Sequence, residues 1–223
     1  MSATPLPVLD DRPQVSSWRL IATLAGSGAL AGLLLVLTFQ YTYPTVQAHR
    51  GEVLRGAIAE VLQAPAKADT LFLVGDALVA TLPATADPEK TERVWRAYDA
   101  KGAVVGYGIR ASEAGFADQI AVIFGYDATS KKLLGMKVLS HKETPGLGDK
   151  IVKPTFMAQF TGLLAPLVGV KDGAKGPSNV AMITGATISS RTIIREINNA
   201  VARWTPLIER YERTTAAARG QNR

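Results

Sequence analysis

From Leu20 to Phe39 the chain reads LIATLAGSGALAGLLLVLTF, with no charged residue, between Trp18-Arg19 on one side and Tyr41 and Tyr43 on the other. About 20 apolar residues is the length of a helix that spans a bilayer, and flanking aromatics suit its two interfaces. A retained transmembrane helix is therefore expected. The competing reading, a cleaved signal peptide, has a shorter apolar core and a small-residue cleavage site, whereas this run ends in bulky side chains. Gly28 and Gly32, with Ala25 and Ala29 at the same spacing, offer a face for close approach of a second membrane helix, or reflect the small residues common in such helices. Arg12 and Arg19 precede the run and Arg50 and Arg55 follow it, so charge bias leaves the orientation open.

The remaining length suffices for one sizeable domain. The absence of cysteine excludes disulfides, thiolate metal sites, iron–sulfur clusters and thiol catalysis in this chain. His49 and His141 are far apart and form no metal motif. The net charge of +6 comes from scattered basic residues mixed with acids. No basic stripe with interleaved aromatics emerges, so nucleic acid is not an expected partner.

Helical spacing of Val53, Leu54, Ala57, Ile58, Val61 and Leu62 predicts a helix or helical linker ended by Pro65. Leu71 to Thr81 reads as a strand pair with a tight turn or as a short helix. Four strands follow, near 94–98, 103–109, 119–126 and 133–140, separated by turn residues. Helices are predicted over 154–164 and from Ile188 to about Tyr211, the second with an apolar face through Ile193, Ile197, Val201, Trp204 and Ile208. The Arg-bearing stretch after Glu209 is expected to be a fraying helix end or tail. The class is α+β, with an antiparallel sheet and packed helices. The expected divisions are a cytoplasmic tail over 1–17, a membrane helix over 18–40, a helical linker over 41–70, the α+β domain over 71–212 and a tail over 213–223.

Two segments break the periodicity. Thr184-Gly185-Ala186-Thr187-Ile188-Ser189-Ser190 places a glycine and several hydroxyls at the start of a helix, with Thr187, Ser189 and Ser190 as expected caps. Free N–H groups and a positive dipole end make such a place suitable for a phosphate, although a turn and N-cap would carry the same residues. His141-Lys142-Glu143-Thr144-Pro145-Gly146-Leu147-Gly148-Asp149-Lys150 is a tight loop exposing backbone N–H groups, as a heteroaromatic site or an ordinary surface loop would. His141 is expected to shape the loop by hydrogen bonding, with proton donation near a cofactor as the other reading. Lys142 and Lys150 are available to neutralise phosphate or are simply solvated.

Thr184-Gly185-Ala186-Thr187 resembles the [Ser/Thr]-Gly-Ala-[Ser/Thr] signature of the FMN-binding domains in the G subunit of Rnf complexes and the C subunit of sodium-pumping NADH:quinone oxidoreductases. Glu143-Thr144-Pro145-Gly146-Leu147-Gly148, in the same order before it, is similar to a recurrent motif of the Rnf G subunit. The departure is Thr184 where serine is more usual. The resemblance covers nearly the whole chain. It implies FMN in phosphoester linkage to Thr187, with Thr184, Gly185, Ala186, Ser189, Glu143, Thr144, Gly146, Leu147 and Gly148 around the cofactor. No base is evident in the sequence beside Thr187 to activate a weakly nucleophilic hydroxyl, and the family implies a separate flavin transferase. It further implies a single-pass protein of the bacterial inner membrane with its large domain on the periplasmic side. There it would relay electrons among the other membrane subunits of an ion-translocating ferredoxin:NAD oxidoreductase. The alternatives are the quinone-reductase C subunit and a membrane-anchored assembly module without redox function.

Overall fold

The computed structural model describes residues 16–221 apart from Glu89, Asp172 and Ala174. The expected N-terminal tail, Arg12 included, lies outside the described residues except for Ser16 and Ser17. The first helix, α1, spans Ser17–Val61 and contains Pro44. The chain divides into two compact units, Met1–Gly51 and Glu52–Arg223. In the first, the residues from Ser17 to Val46 are all exposed, so this apolar surface has no protein partner within the unit. The interior of Leu20–Phe39 offers no side chain that competes strongly with its helical backbone bonds. Thr23, Ser27 and Thr38 return their hydroxyls to carbonyls three or four residues earlier.

The second unit is built on a six-stranded antiparallel sheet in the order β2-β1-β3-β4-β5-β6. Its strands are β1 (Lys67–Val74), β2 (Ala77–Val79), β3 (Arg93–Tyr98), β4 (Val104–Ala114), β5 (Gln119–Asp127) and β6 (Lys132–Ser140). Leu71 to Thr81 is thus the strand pair, turning at Gly75 and Asp76. Both faces of the sheet are covered. Val94, Tyr107, Ile109, Val122 and Phe124 meet Ile193, Ile197, Trp204 and Ile208 of α3, which spans Thr187–Gln221. On the other face Trp95, Ala97 and Ile123 meet Ala57, Ile58, Val61 and Leu62. β5 is accordingly buried at all but its end residues, and its sequence reads as an apolar run.

Two expected helix bounds require correction, and one strand pair was not expected. Helix over 154–164 is confined to α2, Pro154–Met157, followed by a 3-10 turn at Ala158–Phe160. The chain then leaves helical form because Gly162 N–H bonds Leu133 O and Leu163 O accepts from Leu133 N–H, at the edge of β6. α3 continues to Gln221, past the end of the apolar pattern at Tyr211. Its distal part is held by buried Arg96, whose Nη2 lies 2.5 Å from Glu212, and by Tyr107, whose hydroxyl donates to the same carboxylate. No local pattern announced β7 (Val168–Val170) and β8 (Asn179–Ala181), a short parallel pair. Asn198 of α3 pins the entry to β7, accepting from Leu167 N–H at 2.7 Å and donating to Leu167 O at 2.9 Å.

Candidate functional site

β8 delivers the chain into the loop before α3. Met182 N–H bonds Val170 O, Ile183 N–H donates to Ser190 Oγ at 3.0 Å, and Ser190 returns its hydroxyl to Ala186 O. Gly185, at φ +84°, makes the turn that a residue with a Cβ would resist. The hydroxyls do not cap the helix as expected. Ser190 braces the loop and Ser189 points elsewhere, while Ala186, just before the helix, has no side-chain acceptor to offer. The backbone N–H groups of Thr187, Ile188 and Ser189 consequently have no acceptor among the described residues. Three unpaired donors at the positive end of a 35-residue helix make an arrangement suited to a phosphate, beside a half-buried threonine.

The other motif reaches this helix start through Glu143. Its buried carboxylate accepts from Ser189 Oγ at 2.6 Å, from Phe116 N–H at 2.9 Å and from Ala117 N–H at 3.1 Å. Three separate segments, the β4–β5 turn, the loop after β6 and α3, are tied at one group. Burial alone would raise the Glu143 carboxyl, but the hydrogen bonds from Ser189, Ala117 and Phe116 and the nearby His141 outweigh it and hold the group below its ordinary value. A Cβ on Gly148 would stand 2.7 Å from Glu143 Oε2 and 2.8 Å from Glu143 Cβ, so only glycine fits over the carboxylate. His141 Nδ1, in the assigned tautomer, accepts from Glu143 N–H at 3.2 Å, which is the loop-shaping role. Lys142 pairs with Asp118 at 2.6 Å in an exposed position.

A cleft of about 310 Å³ opens where these segments meet. Thr187, Gly185, Ala186, Ser189, Glu143, Thr144, Leu147 and Gly148 line it. Thr184 and Gly146 do not, although both stand exposed in its bordering loops. Two further residues belong to it, Phe116 and Ile188, and with Leu147 they form an exposed apolar rim at 67%, 52% and 49% exposure. An exposed phenylalanine between Gly115 and Ala117-Asp118 in a tight turn was the signal that sequence reading passed over. The volume falls at the lower end of ordinary small-molecule sites, and the combination of an apolar rim with unpaired backbone donors suits a flat heteroaromatic carrying a phosphate. Glu143 has both oxygens engaged, and no histidine or lysine lines the cleft. No free base therefore stands beside the Thr187 hydroxyl among the described residues. The residues present fit FMN.

Residues 115–202 match the family described as FMN-binding domain, a span that contains both motifs and the cleft. The solved structures agree on the fold. Shewanella oneidensis NqrC superposes with a TM-score of 0.59 at 16% identity, over 72% of this chain and 97% of that one. The C subunit of the Na(+)-translocating NADH-quinone reductase of Parabacteroides distasonis gives 0.50 at 22% identity, over 64% and 77%. Fold and site together define a membrane-anchored FMN-binding protein.

Two relatives narrow the class. The chain is 30% identical over 184 residues to the G subunit of the ion-translocating oxidoreductase complex of Methanosarcina acetivorans, spanning 82% of this chain and 92% of the relative. It is 32% identical over 179 residues to the G subunit of the Na(+)-translocating ferredoxin:NAD(+) oxidoreductase complex of Acetobacterium woodii, spanning 78% and 84%. The chain belongs to the family of G subunits of ion-translocating oxidoreductase complexes.

Proposed function

We propose that this chain is the covalent-FMN electron-relay subunit of a membrane-bound, ion-translocating ferredoxin:NAD oxidoreductase, with the FMN phosphate esterified to Thr187. Residues 18–40 would anchor it in the bacterial inner membrane and residues 71–212 would present the cofactor on the periplasmic side. The other membrane subunits of the complex are its partners. The observation that carries the reading is the Thr187 hydroxyl at the start of α3, among the unpaired N–H groups of Thr187, Ile188 and Ser189 and inside the cleft that both motifs build.

FMN, when bound, supplies the electron transfer. The residues of this chain do the rest. The helix start neutralises phosphate charge through the three donors. Phe116, Leu147 and Ile188 offer apolar surface that removes part of a planar ring from water. Glu143 fixes the relative positions of the three segments and is not available for proton transfer, since both its oxygens accept hydrogen bonds. With no free base at the hydroxyl, esterification falls to a separate flavin transferase. A covalent tether retains the cofactor in a dilute compartment.

The test is flavin fluorescence of the fully denatured protein in a gel, with mass mapping of the tryptic peptide containing Thr187. The wild type should carry a peptide heavier by FMN minus water, Thr187→Ala should carry none while keeping its fold, and Thr187→Ser should keep the ester. Covalent flavin surviving in Thr187→Ala overturns the assignment.

A further inference from the structure

A second cleft, of about 530 Å³, lies apart from the FMN cleft. It lies where β3 stops short. The register between β3 and β4 ends at Val94↔Ile109, yet β4 remains paired with β5 as far as Ala114↔Gln119. Beyond Arg110, therefore, no strand among the described residues lies beside β4 on its β3 side. The hairpin closed by Gly115 N–H to Asp118 O, and the Thr192 hydroxyl that donates to Ala114 O, fix which main-chain groups face outward. By alternation those of Ser112 do, on an exposed residue.

The two faces of this bare edge differ in charge. On one, Arg93 and Arg110 stand opposite each other at the next step of the register, two like charges with no ion pair among the described residues. On the other, Glu196 of α3 lines the cleft while 1% exposed, and neither carboxyl oxygen has a hydrogen-bond partner. The charged groups around it are Glu113 of β4, engaged by Arg195 and Asn199 of α3, and, on α3 itself, Arg203, forked onto Glu92 from the segment before β3. Burial first, and the charge of Glu113 after it, push the Glu196 carboxyl up to about 8, and the Glu113 backbone N–H that partly offsets them closes no hydrogen bond of ordinary geometry. A buried acid without donors is costly, and a two-donor cation is the group that satisfies both oxygens.

Successive side chains of a strand point to opposite faces, so one extended segment can answer both demands at once. We infer that the open edge of β4 at Arg110–Ala114 receives an extended segment of a partner subunit as an added strand. An acidic side chain of that segment sits at Arg93 and Arg110, and its basic neighbour in sequence donates to Glu196. The exposed edge has room for about four added residues at roughly 3.3 Å each. The identity of the partner as another member of the same complex rests on the proposed function, whereas the docking edge itself does not.

The chain contains no cysteine, which makes a site-specific probe straightforward. Ser112→Cys carrying a benzophenone maleimide, assembled into the complex in its native membrane and irradiated, should crosslink to a non-helical stretch of another subunit that holds adjacent acidic and basic residues. Hydrogen exchange reads the same edge without a label. Peptides covering 110–114 should exchange at least about tenfold more slowly in the purified complex than in the isolated full-length chain. Arg93→Glu/Arg110→Glu should abolish both signals while denatured-gel flavin fluorescence persists. The inference is overturned if exchange at 110–114 is equal in complex and isolated chain, if the crosslink falls on a helix or on lipid, or if millimolar citrate alone reproduces the protection. In-gel fluorescence scored on the same samples keeps a failure of the FMN assignment separate from a failure of the docking edge.

Discussion

Glu143 does more for the site than its position in a loop suggests. Replacement by alanine would strip acceptors from the Ser189 hydroxyl and from the Phe116 and Ala117 N–H groups in a buried place. A loss of about 3–5 kcal/mol in denaturant unfolding is expected, against about 1–3 kcal/mol for Glu143→Gln, which keeps one acceptor oxygen. Because its folded-state carboxyl lies below the ordinary value, the stabilisation is present above the unfolded value near 4.5 and is lost as pH falls through the folded one. Unfolding curves from pH 7 down to pH 3 should therefore converge for wild type and Glu143→Gln. At this scale the sequence was legible in part. A turn and a helix start announce themselves locally, the family resemblance implied that Glu143, Leu147, Gly148 and Thr187 surround one cofactor, and these four do line one cleft. The bonds of Glu143 to Ser189 and to Phe116 join residues 46 and 27 apart, which no local pattern encodes.

The elements followed their residues wherever periodicity was long enough to read. β3, β5 and β6 emerged at or near their expected bounds because apolar alternation and Gly/Asp turns agree there, whereas β4 runs on past the expected Ile109 to Ala114, where pairing with β5 continues. β7 and β8 escaped notice because three residues carry no period, and their pairing is set by Asn198 and Gln159 from other elements. The seat of α1 on the sheet is likewise nonlocal. A Cβ on Gly125 would collide with Val61 O and stand 3.0 Å from Leu134 Cβ, while one on Gly135 would lie 3.4 Å from Val61 Cα, close to ordinary contact. Gly125→Ala should consequently push the end of α1 off β5 and cost about 1–3 kcal/mol, whereas Gly135→Ala should change the unfolding midpoint little. Equal effects in the two variants would show that helix and sheet adjust freely at this contact.

The whole domain balances two buried acids of opposite sense. Glu143 gains stability on ionising, whereas Glu196 loses it. The folded-state value of Glu196 is raised to about 8 from an ordinary 4.5, so its contribution is fully present below 4.5 and is lost as pH rises to about 8. Each unit of that interval corresponds to about 1.4 kcal/mol, so the whole window amounts to a few kcal/mol, a large share of what a domain of this size possesses. Glu196→Gln, neutral at every pH and nearly isosteric, should flatten the decline between pH 5 and 8 and leave the isolated chain more stable than wild type at pH 8. An isolated fold gains nothing from such an acid, whereas a chain whose partner brings a cation to the cleft does. On assembly the cation would ionise Glu196 within a satisfied pair, and the alkaline decline should vanish for wild type in the complex while persisting for the free chain. Thermal unfolding of this protein, followed at pH 6 and pH 8 in both states, measures that difference. A decline of equal steepness in chain and complex would mean that Glu196 stays unpaired after assembly.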